Sequence, residues 1–243
     1  MIDKCVVSAG HICLDITPDL SGVSSGEFST LIQPGKMVKA KKLDIRAGGA
    51  SINTGLALHK LGVPVQIIGK IGDDLFGSAL QEWIKSQNTK LAQDLIVDPA
   101  GATSYTLIIN PPGLDRSFIH YQGANDVFYA SDLPRNKLQD ADLFHFGYPP
   151  LMRSIYRGDG GELVSIMRRA RKAGLTTSLD VSLPDPTSEA GQADWNEILA
   201  NSLPWVDIFT PNAAELSFMM DRAVYLDHCD DLNSPFLDRV TFD

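Results

Sequence analysis

The chain has little cysteine and no paired cysteine. Cys5, Cys13 and Cys229 lie far apart in 243 residues, with no CxxC and no zinc-type ligand spacing. An odd, scattered count argues against a disulfide framework and fits a reducing compartment, with the thiols read as small inert side chains. No stretch approaches the roughly 18 apolar residues needed to cross a bilayer. The opening MIDKCVVSAG carries no long apolar run behind a basic segment. The expected location is therefore cytoplasmic, with no membrane partner. Excess positive charge is missing too. A net charge of −9 is the wrong sign for a general nucleic-acid binder, so no nucleic acid is expected. Neither GxxxxGK(S/T) nor a GxGxxG after the first strand occurs. No Ser/His/Asp or Cys/His constellation stands out.

What is present is an ordinary globular composition, 44% hydrophobic and 21% charged, sufficient for a sizeable core. Short apolar runs alternate with helical patterns. Lys4–Ala9, Val65–Gly69, Asp142–Gly147, Leu175–Val181 and Val206–Thr210 read as strands. Ser51–Leu61 reads as a helix with Ile52, Leu56 and Leu61 near one face and Gly62 at the left-handed cap. Asp73 or Asp74 can cap a helix running to about Gln87. Glu162–Ala173 places Leu163, Ile166, Met167 and Ala170 at helical spacing, with Gly174 just beyond. This alternation predicts an α/β fold with a doubly wound, mostly parallel sheet. Two stretches break the rhythm. Ser21–Arg46 is polar and β-like, and Thr103–Asn125 reads as a hairpin around Asn110-Pro111-Pro112-Gly113. Paired, they would make a small sheet suited to covering a cleft. The organisation expected is one α/β domain over 1–243, with β-lid insertions at about 17–47 and 103–125.

Candidate site residues cluster around glycines and strand ends. Gly48 and Gly49 open the helix at Ser51 and lack the Cβ that would keep a ligand away. Asn53 lies in the first turn, where its amide both donates and accepts. Two readings stand: the floor of a polyhydroxyl pocket, or a tight turn with Asn53 as a local cap. Asp15, closing GHICLD at the end of the first strand region, is either a pair of acceptors for sugar hydroxyls or a loop aspartate. Asn212 and Glu215 of PNAAE have capping-box spacing, and could also order the water shell of Mg²⁺. His145 reads as a packed strand residue, and Arg168, Arg169, Arg171 and Lys172 as a solvated helix face.

Together these pieces resemble the ribokinase-like (PfkB) carbohydrate kinase family over most of residues 4–220. The strongest part is GGASINTGLALHKLG followed by VPVQIIGKIGDDLFG. GHICLD, GAN at Gly123–Asn125, SLDVSLPDP and NAAE fall in the expected order. Ser51 and Gly55 stand where the family more often has other small residues. The resemblance implies ATP- and Mg²⁺-dependent phosphorylation of a sugar, nucleoside or related polyol. It implies that Asp15, Gly48, Gly49, Asn53 and Asn125 bind substrate, with Asn125 closing the site from the lid. Asp180, Asn212 and Glu215 would face the nucleotide phosphates, with Glu215 reaching the metal through water. The β character of Ser21–Arg46 permits a homodimer through the lid.

The family's second signature, a DTxGAGD-like segment carrying the catalytic base and an anion hole, does not occur after Glu215. The chain is therefore expected to hold the substrate half of the fold without its C-terminal catalytic part, and to be inactive alone. A fragment of a full kinase is the favoured explanation, ahead of a truncated gene or a non-catalytic sugar-binding or regulatory module. Residues 221–243 carry no assigned role.

Overall fold

The computed structural model describes residues 4–23 and 33–229, without the side chains of 227–229. Expectations for residues 24–32, for the Cys229 thiol and for residues 230–243 lie outside the described residues. In chain order the principal elements are β1 (Val6–Gly10), β2 (Cys13–Pro18), β3 (Leu43–Gly48), α1 (Ala50–Lys60), β4 (Val65–Ile68), β5 (Lys70–Gly72) and α2 (Leu75–Gln87). They continue with β6 (Ile96–Asp98), β7 (Tyr105–Ile109), β8 (Ser117–Tyr121), α3 (Arg135–Gln139), β9 (Leu143–Gly147), α4 (Arg153–Tyr156) and α5 (Gly161–Lys172). The last are β10 (Thr176–Asp180), α6 (Trp195–Ser202), β11 (Ile208–Phe209), α7 (Ala213–Met220) and α8 (Arg222–Cys229).

The central sheet has the order β11-β10-β9-β1-β4, and every pairing in it is parallel. Its two faces differ in chemistry. Val7, Ala9, Phe144, Phe146 and Leu179 share a core with Leu163, Ile166 and Met167 of α5 and Ile198 and Leu199 of α6. The opposite face is polar where α1 crosses it. Ser8, His145 and Ser178 stand in register. The Ser8 hydroxyl donates to the Ser51 carbonyl, and His145 bridges Thr54 and Ser178 at 3.3 and 3.1 Å. His145 is thus a packed strand residue with both ring nitrogens engaged, as its surroundings in the sequence suggested.

Local signals explain the helix ends. Gly62 and Gly174 take positive φ of 78° and 90° after α1 and α5, where only glycine escapes the Cβ penalty. Asp74, not Asp73, caps α2 by accepting from the Gly77 amide at 2.7 Å. Two expectations fail. Leu61 belongs to no apolar face; it lies in the C-cap, 76% exposed, because the helix has already ended at Lys60. The basic face of α5 is only partly solvated. The Arg169 guanidinium donates to the carbonyls of Ala130 and Leu133, and Arg171 pairs with Asp207.

A second sheet, ordered β3-β2-β7-β8, combines antiparallel outer pairs with a parallel β2–β7 pair. Leu14, Ile16, Ala47 and Tyr105 on one of its faces pack with Leu80, Trp83 and Ile84 of α2. A short parallel pair, β5-β6, completes the β structure of the described residues. Among them, no helix is long and apolar enough to cross a membrane.

Candidate functional site

Strand order reverses between β1 and β9: the chain moves to β4 on one side and to β10 and β11 on the other. In such sheets a crevice opens outside the strand C-termini at that point. Here the strands end at the facing pair Gly10 and Gly147. Gly10 has φ +118°, and a Cβ on it would lie 2.9 Å from the Gly147 nitrogen. The chain turns sharply there, leaves the central sheet, and starts β2 at Cys13. This corrects the expected placement of Asp15. It does not terminate the first strand; it lies within β2 of the second sheet, because the turn at Gly10 comes first.

The two glycines that open α1 serve different neighbours. A Cβ on Gly48 would stand 2.6 Å from the Asp15 carboxyl carbon. Gly49 has φ +90°, and its Cβ would stand 2.5 Å from the His11 carbonyl oxygen. Gly48 therefore makes room for the Asp15 carboxylate, and Gly49 lets the mouth of α1 close onto His11. Ser51 completes that joint, its amide and hydroxyl both donating to the His11 carbonyl at 3.2 and 3.0 Å.

Asp15 is partly buried. Burial pushes its carboxyl above the usual range, while the Cys13 thiol and the neighbouring Thr106 hydroxyl pull it back. Cys13 Sγ lies 3.3 Å from its Oδ1. Burial, and then the nearby Asp15 charge, push the Cys13 thiol well up, so it stays protonated and donates. Asn53 is exposed at the first turn of α1, beside the Tyr148 phenol. Asn125, expected to close the site from the lid, is fully buried and fully engaged. Its oxygen accepts from the Ile12 amide at 3.1 Å, and its nitrogen donates to the carbonyls of Ile12 and Gln122 at 2.9 Å each. The structure makes it a staple between the Gly123–Val127 turn and the β1–β2 connection, with no amide hydrogen left over.

Asp180, Asn212 and Glu215 gather at the ends of β10 and β11. The Asn212 side chain accepts from the Glu215 amide at 2.9 Å, and Glu215 accepts from the Asn212 amide at 2.8 Å. This is the capping box of α7. Asp180 accepts from the Thr210 hydroxyl at 3.4 Å. Burial raises both carboxyls. Hydrogen bonds from Val181 and Thr210 oppose the rise at Asp180. At Glu215 the Asn212 amide opposes it and the charge of Asp180 adds to it. Two half-buried carboxylates that repel one another suit a shared cation.

Tyr148 links the two groups, and nothing in the sequence reading singled it out. It is the only non-glycine residue of positive φ among the described residues, at +62°, directly before Pro149. A residue before proline normally goes extended, and left-handed backbone costs a tyrosine on the order of 1 kcal/mol. Its amide donates to the Asp180 carbonyl at 3.2 Å, which helps to hold the turn. Burial raises its phenol, the charges of Asp180 and Glu215 and the Cys13 sulfur add to the rise, and the Asn53 amide opposes it. Tyr148 is therefore a common neighbour of Asn53, Cys13, Asp180 and Glu215. The available signal was FGYPP, a large residue between a strand-ending glycine and two prolines. His11, Thr106 and His120 were also missed. Strand register sets Thr106 opposite Asp15 and His120 opposite Thr106, and the His11 ring lies 5.1 Å from that of His120.

Comparisons with known proteins point to one family. The model of the pfkB family carbohydrate kinases matches residues 5–234. Fructokinase-2 of Oryza sativa subsp. japonica is 31% identical over 193 residues, covering 77% of this chain and 53% of that protein. Probable fructokinase-5 of Arabidopsis thaliana is 29% identical over 233 residues, covering 89% of this chain and 67% of that protein. A crystal structure of fructokinase with bound ATP from Xylella fastidiosa superposes with a TM-score of 0.70 at 21% identity, covering 91% of this chain and 62% of that one. The likeness to that structure is one of fold. The chain spans little more than half of the rice protein's length.

Proposed function

The chain belongs to the pfkB family of carbohydrate kinases, and on that premise we propose that it supplies the sugar-binding half of an ATP-dependent kinase acting on a sugar or related polyol hydroxyl. The observation that supports this reading is the position of Tyr148 at the strand-order reversal, where Asn53 and Cys13, the latter hydrogen-bonded to Asp15, and Asp180 and Glu215 all act on its phenol. Asp15, ionised, accepts from two sugar hydroxyls, and Asn53 both donates and accepts. Gly48 and Gly49 form the floor. Asn125 holds the wall by fixing the Ile12 main chain. The sequence relatives are named fructokinases, so D-fructose is the first sugar to test, with D-ribose and adenosine beside it.

Asp180, Asn212 and Glu215 take the phosphate side. Among the described residues no group of three potential ligands could cage a metal. Two mutually repelling carboxylates instead fit Mg²⁺ that keeps its waters and reaches Glu215 through one of them. When bound, Mg·ATP supplies the transferable phosphoryl group and neutralises its charge. The chain's own residues hold the acceptor hydroxyl in place, where positioning accounts for much of the rate of such transfers. In this reading the second sheet is a lid on one α/β domain, formed by β2–β3 and β7–β8, so the first insertion starts at Cys13, before the expected 17–47, while the second lies within 103–125. Its outer strand β8 exposes Phe118 and Ile119, a surface suited to a lid-to-lid homodimer in the cytoplasm.

Titration calorimetry of the chain tests the binding step. D-Fructose should bind; Asn53→Ala should weaken it about tenfold, the loss of one hydrogen bond, and Asp15→Ala about a hundredfold, the loss of two to a charged group, with circular dichroism unchanged. Failure of all three ligands to bind would refute the reading. No GAGD-like segment follows Glu215 in the 243 residues, so the base is assigned outside them. Turnover by this chain alone with Mg·ATP would contradict that assignment.

A further inference from the structure

One polar row crosses the second sheet on the side that faces His11 and Tyr148. Arg46 of β3 pairs with Asp15 of β2, Asp15 with Thr106 of β7, and Thr106 with His120 of β8. Cross-strand partners share a face, so a cation, a carboxylate, a hydroxyl and an imidazole lie side by side. Arg46 turns aside to Asp44 at 2.8 Å. The side-chain hydrogen-bond donor left to Asp15 is the Cys13 thiol, 3.3 Å from its Oδ1. His120 Nδ1 lies 3.0 Å from Thr106 Oγ1.

Counting protons gives this chain a direction. The Thr106 hydroxyl has one hydrogen. It goes to Cys13 Sγ at 3.6 Å, and the Cys13 thiol passes its own hydrogen to Asp15 Oδ1 at 3.3 Å. With that hydrogen committed, Oγ1 offers His120 only lone pairs, so Nδ1 must carry the ring hydrogen. Burial keeps the ring neutral by lowering its pKa, against a smaller opposing pull from the Tyr105 carbonyl. Nε2 is then a bare acceptor, and it is buried without a hydrogen-bond partner. The neighbouring His11 ring, 5.1 Å away, brings no competing charge. Burial, helped by His120, lowers its pKa to about 3, and both its ring nitrogens also lack partners. The titratable or charged groups facing the row are thus Arg46 from β3, Cys13 from β2, His11 from the β1–β2 connection, and Tyr148, whose ring lies 6.3 Å from that of His11.

We propose that His120 is a positioning residue: acting through Thr106 and the Cys13 thiol, it orients the ionised Asp15 carboxylate toward the sugar hydroxyls. The inference rests on the assignment of Asp15 to the sugar. A histidine that merely fills space would leave the Asp15 carboxylate indifferent to which ring nitrogen carries hydrogen.

Carboxyl-carbon NMR titration of Asp15 in the whole chain reads the relay, and D-fructose calorimetry reads the site. His120→Phe keeps a ring but removes Nδ1–H, whereas His120→Asn keeps an N–H near that place. Thr106→Val and Thr106→Ser repeat the comparison at the next link and serve if His120→Phe fails to fold. The Asp15 midpoint should move up in His120→Phe and Thr106→Val, and return toward wild type in His120→Asn and Thr106→Ser. D-Fructose affinity should weaken about tenfold in the first pair and recover in the second. An Asp15 midpoint unmoved in both His120→Phe and Thr106→Val overturns the proposal. Absence of D-fructose binding in the wild type defeats the reading of the site instead. The NMR titration needs no sugar, so the two failures are distinguishable.

Discussion

Gly48→Ala isolates one contact at the centre of the site. Gly48 has no positive φ, so alanine meets no backbone penalty there. The whole effect must come from the new Cβ, which would stand 2.6 Å from the Asp15 carboxyl carbon and 2.9 Å from its Oδ1. Six register pairs from Cys13–Gly48 to Pro18–Leu43 hold β2 against β3, so the carboxylate must swing away, at the expense of its bond to Cys13. Overpacking of this kind costs about 2 kcal/mol, or about 4–8 °C in Tm for a chain of this size. Asp15→Ala removes the obstruction. In that background Gly48→Ala should cost close to nothing, giving a coupling of about 2 kcal/mol in a double-mutant cycle. Urea unfolding followed by circular dichroism measures all four proteins. Gly49→Ala is the control: its φ of +90° and the His11 carbonyl 2.5 Å from the new Cβ keep it costly in either background. Equal costs for Gly48→Ala with and without the Asp15 carboxylate would show that the carboxylate does not fill that space, and the reasoning would fail.

Two further outcomes follow from individual groups. Asp74 accepts from the Gly77 amide, the Thr103 amide and the Thr103 hydroxyl at 2.7–2.8 Å. Burial raises its pKa, but these bonds together outweigh it and leave the carboxyl below its ordinary value. Its stabilisation is therefore present above the unfolded pKa and is lost as pH falls through the folded one. Asp74→Ala should cost about 2 kcal/mol at pH 7, and thermal melts should show the difference from wild type closing in acid. Asp15 has the opposite sign, because burial raises its folded pKa. The stability associated with it is complete below the unfolded pKa, about 3.9, and is lost as pH rises through the folded value. Asp15→Asn should be more stable than wild type at pH 7 while binding D-fructose less well, and its advantage should vanish by about pH 4. Melts showing the Asp15→Asn variant less stable than wild type at pH 7 would refute the sign.

The helices and central strands were readable because their causes are local. Apolar residues at helical spacing place α5, and glycines at 62 and 174 stop α1 and α5 wherever those helices pack. The capping box of Asn212 and Glu215 needs only three residues of separation. The same locality explains the misjudged details. Arg169 appeared solvated because its partners, the carbonyls of Ala130 and Leu133, lie on a distant segment. The hold of Asn125 on Ile12 was invisible for the same reason, since it spans more than a hundred residues.

The amino-acid sequence by itself determined the alternation of elements, the parallel sheet that follows from it, and the residue types at the mouth of α1. Tertiary structure alone decided what those residues face. Glycine at 48 is legible as a missing side chain, but only the turn at Gly10 and the register of β2 against β3 show that the space belongs to the Asp15 carboxylate. Tyr148 took its place because strand order reverses beside it, and Thr106 and His120 took theirs because parallel and antiparallel pairing set four strands in one row. Propensity and capping act over a few residues, and sequence displays them directly. Register and crevice geometry depend on which distant segments hydrogen-bond, and those contacts exist only once the chain has folded.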